Sequence, residues 1–280
     1  MDGDRRVISR RTFLGSTAGF SVALLLHACS SSKDIAEQNR SADVLKVGAN
    51  IGNVPWEFRE ADGEIVGFEI DLVKAIGDRL NRQVEFIDTP FTALFPAVLS
   101  NRIHVAVSSI TITKKRLKTL DFAQPYYDSD QSLTVKSDSG IQSVADLKGK
   151  VVAVDNSSTG EAWALAHKEQ YGFAEILHYE GLNPAMMDLE ADKFDGYISD
   201  IPSLLYYTKE KPDLKVVQRI PTGEQYSIIF AKRNPLRDEM NQIITTLKQD
   251  GTIAQIYQKW FGIAPEAGTS TAEVLAVPTL

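Results

Sequence analysis

Phe68-Glu69-Ile70-Asp71-Leu72-Val73-Lys74-Ala75-Ile76-Gly77-Asp78-Arg79-Leu80 places Phe68, Leu72, Val73, Ile76 and Leu80 at helical spacing. Short apolar stretches flank it, Val44 to Ala49 before and Val84 to Ile87 after, so the spacing predicts strand, helix, strand. Asn50 to Arg59 reads as a loop, because Pro55 breaks any helix there. Phe91 to Leu99 again has a helical period, short or kinked at Pro96, and Val105 to Val107 reads as a buried strand. Alternation of this kind predicts a parallel sheet with right-handed crossovers. The pattern then restarts. Strands are expected at Val151 to Val154, Ile176 to Tyr179 and Asp195 to Ser199, and helices at Glu161 to Gln170, Pro184 to Ala191 and Ile201 to Tyr207. Two such units in one chain predict two α/β lobes. Tyr226 to Ala231 is strand-like, and amphipathic helices are expected over Leu236 to Gln249 and Thr252 to Trp260. The tail has no period and reads as loose.

The chain has 280 residues, 43% of them hydrophobic and 24% charged, which is ordinary globular composition. Thirty Lys and Arg against 37 Asp and Glu give a net charge of −7, which disfavours a nucleic-acid partner. One cysteine permits neither an intramolecular disulfide nor a Cys-rich zinc site. The four histidines, at 27, 104, 167 and 178, form no metal motif, and no P-loop or nucleophile elbow is present. No cofactor is expected.

The N-terminus reads as an address. Arg5, Arg6, Arg10 and Arg11 precede an apolar run from Phe13 to Leu26, shorter than the ~20 residues a membrane span needs. Ser9-Arg10-Arg11-Thr12-Phe13-Leu14 resembles a twin-arginine export signal, and Leu26-His27-Ala28-Cys29 resembles a lipobox whose cysteine is lipidated. The expected organisation is therefore a signal over 1–28, lipidation at Cys29 and a flexible tether over 29–43. The alternative is a plain cleaved signal with an incidental cysteine. Removing 1–28 leaves 26 basic against 35 acidic residues, an acidic extracytoplasmic chain anchored at the membrane by lipid.

Ligands of open parallel sheets bind beyond the carboxyl ends of the strands. Those ends are Asn50–Trp56, Ser108–Thr113, Asp155–Gly160 and Ser199–Asp200, rich in hydroxyl, amide and carboxylate groups. That inventory suits a small polar molecule.

Gly63-Glu64-Ile65-Val66-Gly67-Phe68-Glu69-Ile70-Asp71-Leu72, Ser108-Ser109-Ile110-Thr111-Ile112-Thr113-Lys114-Lys115-Arg116, Asp121-Phe122-Ala123-Gln124-Pro125-Tyr126-Tyr127 and Trp260-Phe261-Gly262 follow one another in order. Together they resemble the polar-amino-acid class of solute-binding proteins that serve ABC importers. The resemblance spans about Leu45 to Gly262. It implies a two-lobe periplasmic-binding-protein fold, with two hinge strands and a ligand cleft between the lobes. Lobe 1 would be 44–131 plus 224–262, lobe 2 132–223, and 263–280 the loose tail. A monomer working with a membrane permease is implied.

The resemblance also implies roles. Arg116 would hold a ligand carboxylate, for which a guanidinium offers two parallel donors; by charge pattern alone it reads as part of a solvated patch with Lys114, Lys115 and Lys118. Ser109 and Thr111 would complete the polar shell, or simply form the turn. Ser158 and Thr159 precede a helix, whose N-terminus attracts a carboxylate, and equally read as its cap. Asp200 would take the ammonium, or cap a helix; Glu69 is a second acidic candidate. Trp56 and Phe91 would sandwich the ligand side chain, with core packing as their ordinary use. Asn50 and Asn53 would complete the pocket. Asp155 stands where glutamine-binding relatives carry a lysine, and Asn53 where basic-amino-acid binders carry an aromatic residue. Asp155 and Glu161 favour a cationic ligand side chain, Asn50 and Asn53 a neutral amide, and the choice stays open between them. The reading is of a binder, not an enzyme. The alternatives are a cyclohexadienyl or arogenate-type dehydratase on the same scaffold, with Glu161 or Asp155 as general acid, and a ligand sensor for a membrane receptor.

Overall fold

The computed structural model describes residues 44–280. The export signal, Cys29 and the tether lie outside them. The first lobe is built on a five-stranded sheet whose order is β4 (Gln83–Asp88), β1 (Val44–Ala49), β5 (Val105–Ala106), β12 (Ile229–Ala231) and β6 (Leu120–Phe122). β1 is parallel to both β4 and β5, with Val47 opposite Phe86 and Val105, as the alternation of elements requires. β12 runs antiparallel to its two neighbours. Helix α1 (Phe68–Leu80) lays Phe68, Leu72, Val73 and Ile76 on one face of the sheet. Helices α7 (Leu236–Gln249) and α8 (Thr252–Phe261) complete that face with Met240, Ile244, Leu247 and Ile253. Helix α2 (Phe91–Leu99) runs through Pro96 and covers the opposite face with Leu94, Ala97 and Val98. A small hairpin, β2 (Phe58–Arg59) with β3 (Ile65–Val66), leads into α1. Gly67 ends it at φ 143, where a Cβ would lie 2.0 Å from the Trp56 carbonyl oxygen, so only glycine fits.

The second lobe repeats the plan. Its sheet runs β11 (Leu214–Tyr226), β7 (Tyr127–Lys136), β10 (Gly196–Asp200), β8 (Val151–Asp155) and β9 (Glu175–Tyr179). β8 is parallel to β9 and β10, while β7 is antiparallel to β10 and β11. Helices α4 (Thr159–Tyr171), α5 (Leu182–Glu190) and α6 (Ile201–Thr208) follow β8, β9 and β10. A four-residue helix α3 (Lys114–Leu117) belongs to the first lobe. β7 and β11 carry the chain between lobes: Tyr127 and Tyr226, paired at one end of the ribbon, sit in the first lobe's core.

Two expectations are corrected. Tyr226 to Ala231 is not one strand; β11 ends at Tyr226 and β12 begins at Ile229. Between them the Ser227 hydroxyl donates to the Ala123 carbonyl at 2.7 Å, which turns the chain. The tail 263–280 is not loose. Ser270 and Thr271 are buried, Ser270 N–H donates to Asp128 at 2.6 Å, and Thr271 Oγ1 donates to the Tyr126 carbonyl at 2.9 Å. Hydrogen bonds, not an apolar stripe, seat this segment, so it left no periodic signal.

Candidate functional site

The carboxyl ends of β1, β5, β8 and β10 face one another across a cleft of about 630 Å³, open mouth included. Asn50, Asn53, Phe91, Ser109, Thr111 and Arg116 line its first-lobe wall. Ser158, Thr159 and Asp200 line the second. Nine residues singled out from sequence are thus brought together.

Arg116 is set by α3. Thr113 caps this helix by accepting the Arg116 N–H at 3.1 Å, and the side chain then turns inward. Its Nη1 donates to the Thr111 carbonyl at 2.8 Å and its Nη2 to the Ser157 carbonyl of the other lobe at 3.2 Å. The guanidinium carbon stands 5.5 Å and 5.1 Å from the Phe91 and Phe95 ring centres, a cation–π arrangement. Burial pulls its pKa down to about 10, opposed by the charges of Glu224 and Asp200, so it stays a cation at neutral pH. Lys114, Lys115 and Lys118 remain exposed, which separates Arg116 from the solvated patch.

Ser109 has φ 44, in the left-handed region that non-glycine residues seldom enter. Its Oγ accepts from Asn53 Nδ2 at 3.1 Å. Thr111 Oγ1 and Thr159 Oγ1, from opposite lobes, both donate to Glu224 Oε2, at 2.6 and 2.9 Å. Ser158 caps α4, its Oγ accepting the Glu161 N–H at 2.9 Å. Gly160 lets that helix approach the crossing strand, since a Cβ there would lie 2.7 Å from Gln131 Oε1. Asp200 precedes α6 without a side-chain capping bond; its Oδ1 instead accepts from Gln131 Nε2 at 2.6 Å. Burial and the nearby Glu224 charge push its pKa up to about 7.

Two candidates lie elsewhere. Trp56 is fully buried against Phe68, Tyr127 and Tyr226, with ring centres 5.7, 4.7 and 5.3 Å away, and so packs the core rather than flanking a ligand. Its Nε1 donates across to Ser203 Oγ at 2.8 Å. Glu69 is buried behind the cleft wall, its carboxylate accepting the Ser109 N–H. Glu161 is not part of the lining either; it pairs with His178 at 2.9 Å and accepts the Ser157 N–H. Asp155 does line the cleft, with Oδ2 accepting from Ser199 Oγ at 3.1 Å and burial raising its pKa. The sequence reading missed Glu180, which follows β9 and could have been found by the strand-end rule. It also missed Glu224 and Gln131, whose positions on the crossing strands carry no local signal. Among the described residues no cluster of three or more His, Cys, Asp or Glu is arranged to hold a metal, and no helix is long and apolar enough to cross a membrane.

The sequence model of the bacterial extracellular solute-binding proteins, family 3, matches residues 45–263. The arginine-binding extracellular protein ArtP of Bacillus subtilis is 30% identical over 243 residues, 86% of this chain and 94% of that one. The histidine-binding periplasmic protein of Salmonella typhimurium is 31% identical over 228 residues, 78% and 87% of the two chains. Among solved structures, an ancestral arginine-binding protein bound to arginine superposes with a TM-score of 0.74 at 35% identity, covering 79% of this chain and 99% of that one. A two-lobe α/β fold, polar strand ends meeting in one cleft and a family match across nearly the whole described chain agree: the protein belongs to the bacterial extracellular solute-binding proteins of family 3.

Proposed function

We propose that the cleft takes a free α-amino acid with a cationic side chain, and that the lobes close on it for delivery to an ABC importer. The observation that carries the ligand class is the charge of the lining. Arg116 is its one cation among the described residues, against three carboxylates, Asp155, Glu180 and Asp200. A zwitterion's carboxylate pairs with Arg116 and its ammonium with Asp200. Asp155 and Glu180 are then left on the second lobe with no cation of the protein beside them in the cleft, and a guanidinium or ammonium side chain neutralises them. A neutral amide would leave a buried carboxylate unpaired, which is costly. The names of the relatives, arginine- and histidine-binding, support the same class.

The reading is of binding without chemistry. The named relatives are binding proteins, and Glu161, one of the two residues weighed as a general acid, is engaged outside the cleft. Export by the twin-arginine route and anchoring through Cys29 complete the proposal, on the register of Ser9 to Leu14 and of Leu26 to Cys29.

Calorimetry with arginine, lysine, glutamine and citrulline tests the ligand class. Citrulline has arginine's shape without its charge. Arginine should bind at least tenfold more tightly, and Asp155→Asn should shrink that ratio. Equal binding of the two overturns the cationic class. Absence of heat, and of any thermal shift with all free amino acids, overturns amino-acid binding altogether; a ligand at 100 Kd adds about 2.7 kcal/mol of stability, so a true one is visible.

A further inference from the structure

Behind the Ser108–Ser109 wall of the cleft lie two glutamates without solvent access, Glu57 and Glu69. Glu57 follows the first-lobe loop and Glu69 lies in the first turn of α1. Glu69 accepts the Ser109 N–H with both oxygens, at 2.9 and 3.1 Å, and the Tyr126 hydroxyl with Oε1. Glu57 Oε1 accepts from Ser108 Oγ at 2.7 Å and from Asn53 Nδ2 at 3.2 Å. The other oxygen, Glu57 Oε2, is buried with no donor facing it among the described residues. The groups facing the pair are these four donors and the two carboxyls themselves; no described lysine, arginine or histidine stands against either. Two carboxylates in such a place cannot both be ionised. An orphaned oxygen beside a second carboxyl is where the missing proton belongs.

We propose that Glu57 and Glu69 share one proton, carried on Glu57 Oε2 and donated to Glu69, and that this acid–carboxylate pair braces the Ser108–Ser109 wall. The arrangement gives the two residues different jobs. Glu69 keeps its charge and spends it on the Ser109 N–H, holding a backbone that is strained at φ 44. Glu57 stays neutral, fixing Ser108 and Asn53 through Oε1. Burial and the Glu69 charge push the Glu57 pKa well up; burial raises that of Glu69 as well, but hydrogen bonds from Glu57, Tyr126 and the Ser109 N–H oppose it there, which favours the proton on Glu57. Both residues are positioning residues; neither lines the cleft.

The two glutamates should therefore respond oppositely to the same substitution. Glu57→Gln puts an amide N–H where the proton was. Glu69→Gln puts an amide among groups that all donate. Folded Glu57 holds a proton that unfolded Glu57 releases near its ordinary pKa of 4.5. Wild-type stability should accordingly lose up to a tenfold factor in the folding equilibrium constant per pH unit as pH rises from there toward the folded value. In urea titrations between pH 5 and 8, Glu57→Gln should show a slope shallower than the wild type's by one proton, the remainder belonging to groups such as Asp200. Glu69→Gln should bind arginine at least tenfold more weakly than Glu57→Gln. Infrared difference spectra, wild type minus Glu57→Gln at pH 8, where Asp200 is largely ionised, should show one protonated-carboxyl carbonyl band. If that difference band is absent, or if the pH slope of Glu57→Gln equals that of the wild type, the proton is misassigned. The band and slope need no folded Glu69 variant and do not depend on the ligand. Only the affinity comparison rests on the amino-acid reading, so failure of that reading leaves the other two tests intact.

Discussion

Asp200 is the residue on which pH should act most directly. Burial and the Glu224 charge push its carboxyl pKa up to about 7. An ammonium ligand needs the ionised form. The folded protein therefore holds this proton up to about pH 7, and ligand binding must release it below that. Affinity for a neutral-side-chain ligand such as glutamine, which isolates Asp200 from Asp155, should fall by up to tenfold per pH unit below about 7. It should level off above. Calorimetry across pH 5 to 8 reads the slope, and Asp200→Asn should flatten it while weakening binding throughout. Arg116 behaves differently, since its charge does not vary in this range. Arg116→Lys should cost about 2–5 kcal/mol of affinity, because an ammonium cannot stack on Phe91 and Phe95 while bridging Thr111 and Ser157. Asp200 was legible in the sequence because it follows the end of a predicted strand, and Arg116 because the Ser108–Arg116 stretch resembles the family's motif. Trp56 was misread because an aromatic residue in a cleft loop looks the same whether its ring faces ligand or core. Here Phe68, Tyr127 and Tyr226 enclose it.

At the scale of elements, the helices were legible and the crossing strands were not. α1, α7 and α8 each bury one stripe against a sheet, so a 3.6-residue period survives in their sequences. β7 is buried along nearly its whole length, Ser129 to Val135 included, and an unbroken buried run of polar and apolar residues has no period to detect. The tail escaped notice for the related reason that polar atoms hold it. Lys248 on α7 shows how firmly. Its Nζ donates to Gln124 Oε1, the Pro125 carbonyl and the Glu273 carbonyl of the tail, at 2.9, 2.7 and 2.8 Å, and burial pulls its pKa down to about 8. Ending the chain after Gly262 removes the Glu273 acceptor and the Ser270 and Thr271 bonds at one stroke. At about 1 kcal/mol for each lost hydrogen bond, the cost should be about 2–4 kcal/mol, visible as a lower Tm. Lys248→Met should then be less harmful in the shortened chain than in the full one, because the ammonium it removes has already lost a partner. A double-mutant cycle measures that difference.

At the scale of the whole molecule, several of the protein's own hydrogen bonds span the cleft. Trp56 reaches Ser203, Arg116 reaches Ser157, and Glu224 on a crossing strand joins Thr111 of one lobe to Thr159 of the other. On the proposed lobe closure, these contacts favour the closed arrangement, and a ligand adds only its own differential contacts to them. Affinity is then also coupled to Trp56, which does not line the cleft. Trp56→Phe is the clean probe. It keeps the ring within its aromatic cluster and deletes the one bond from Nε1 to Ser203, worth about 1 kcal/mol. If that bond exists only when the lobes are shut, its loss lowers the closed fraction and weakens the apparent affinity up to about fivefold. Small-angle scattering should show wild type contracting on addition of arginine, and empty Trp56→Phe at least as expanded as empty wild type. The saturated forms of both should share one radius of gyration, because the ligand-bound geometry is unchanged. An identical radius for empty and saturated wild type would mean that the lobes do not hinge, and that the bonds across the cleft are permanent features of a rigid fold.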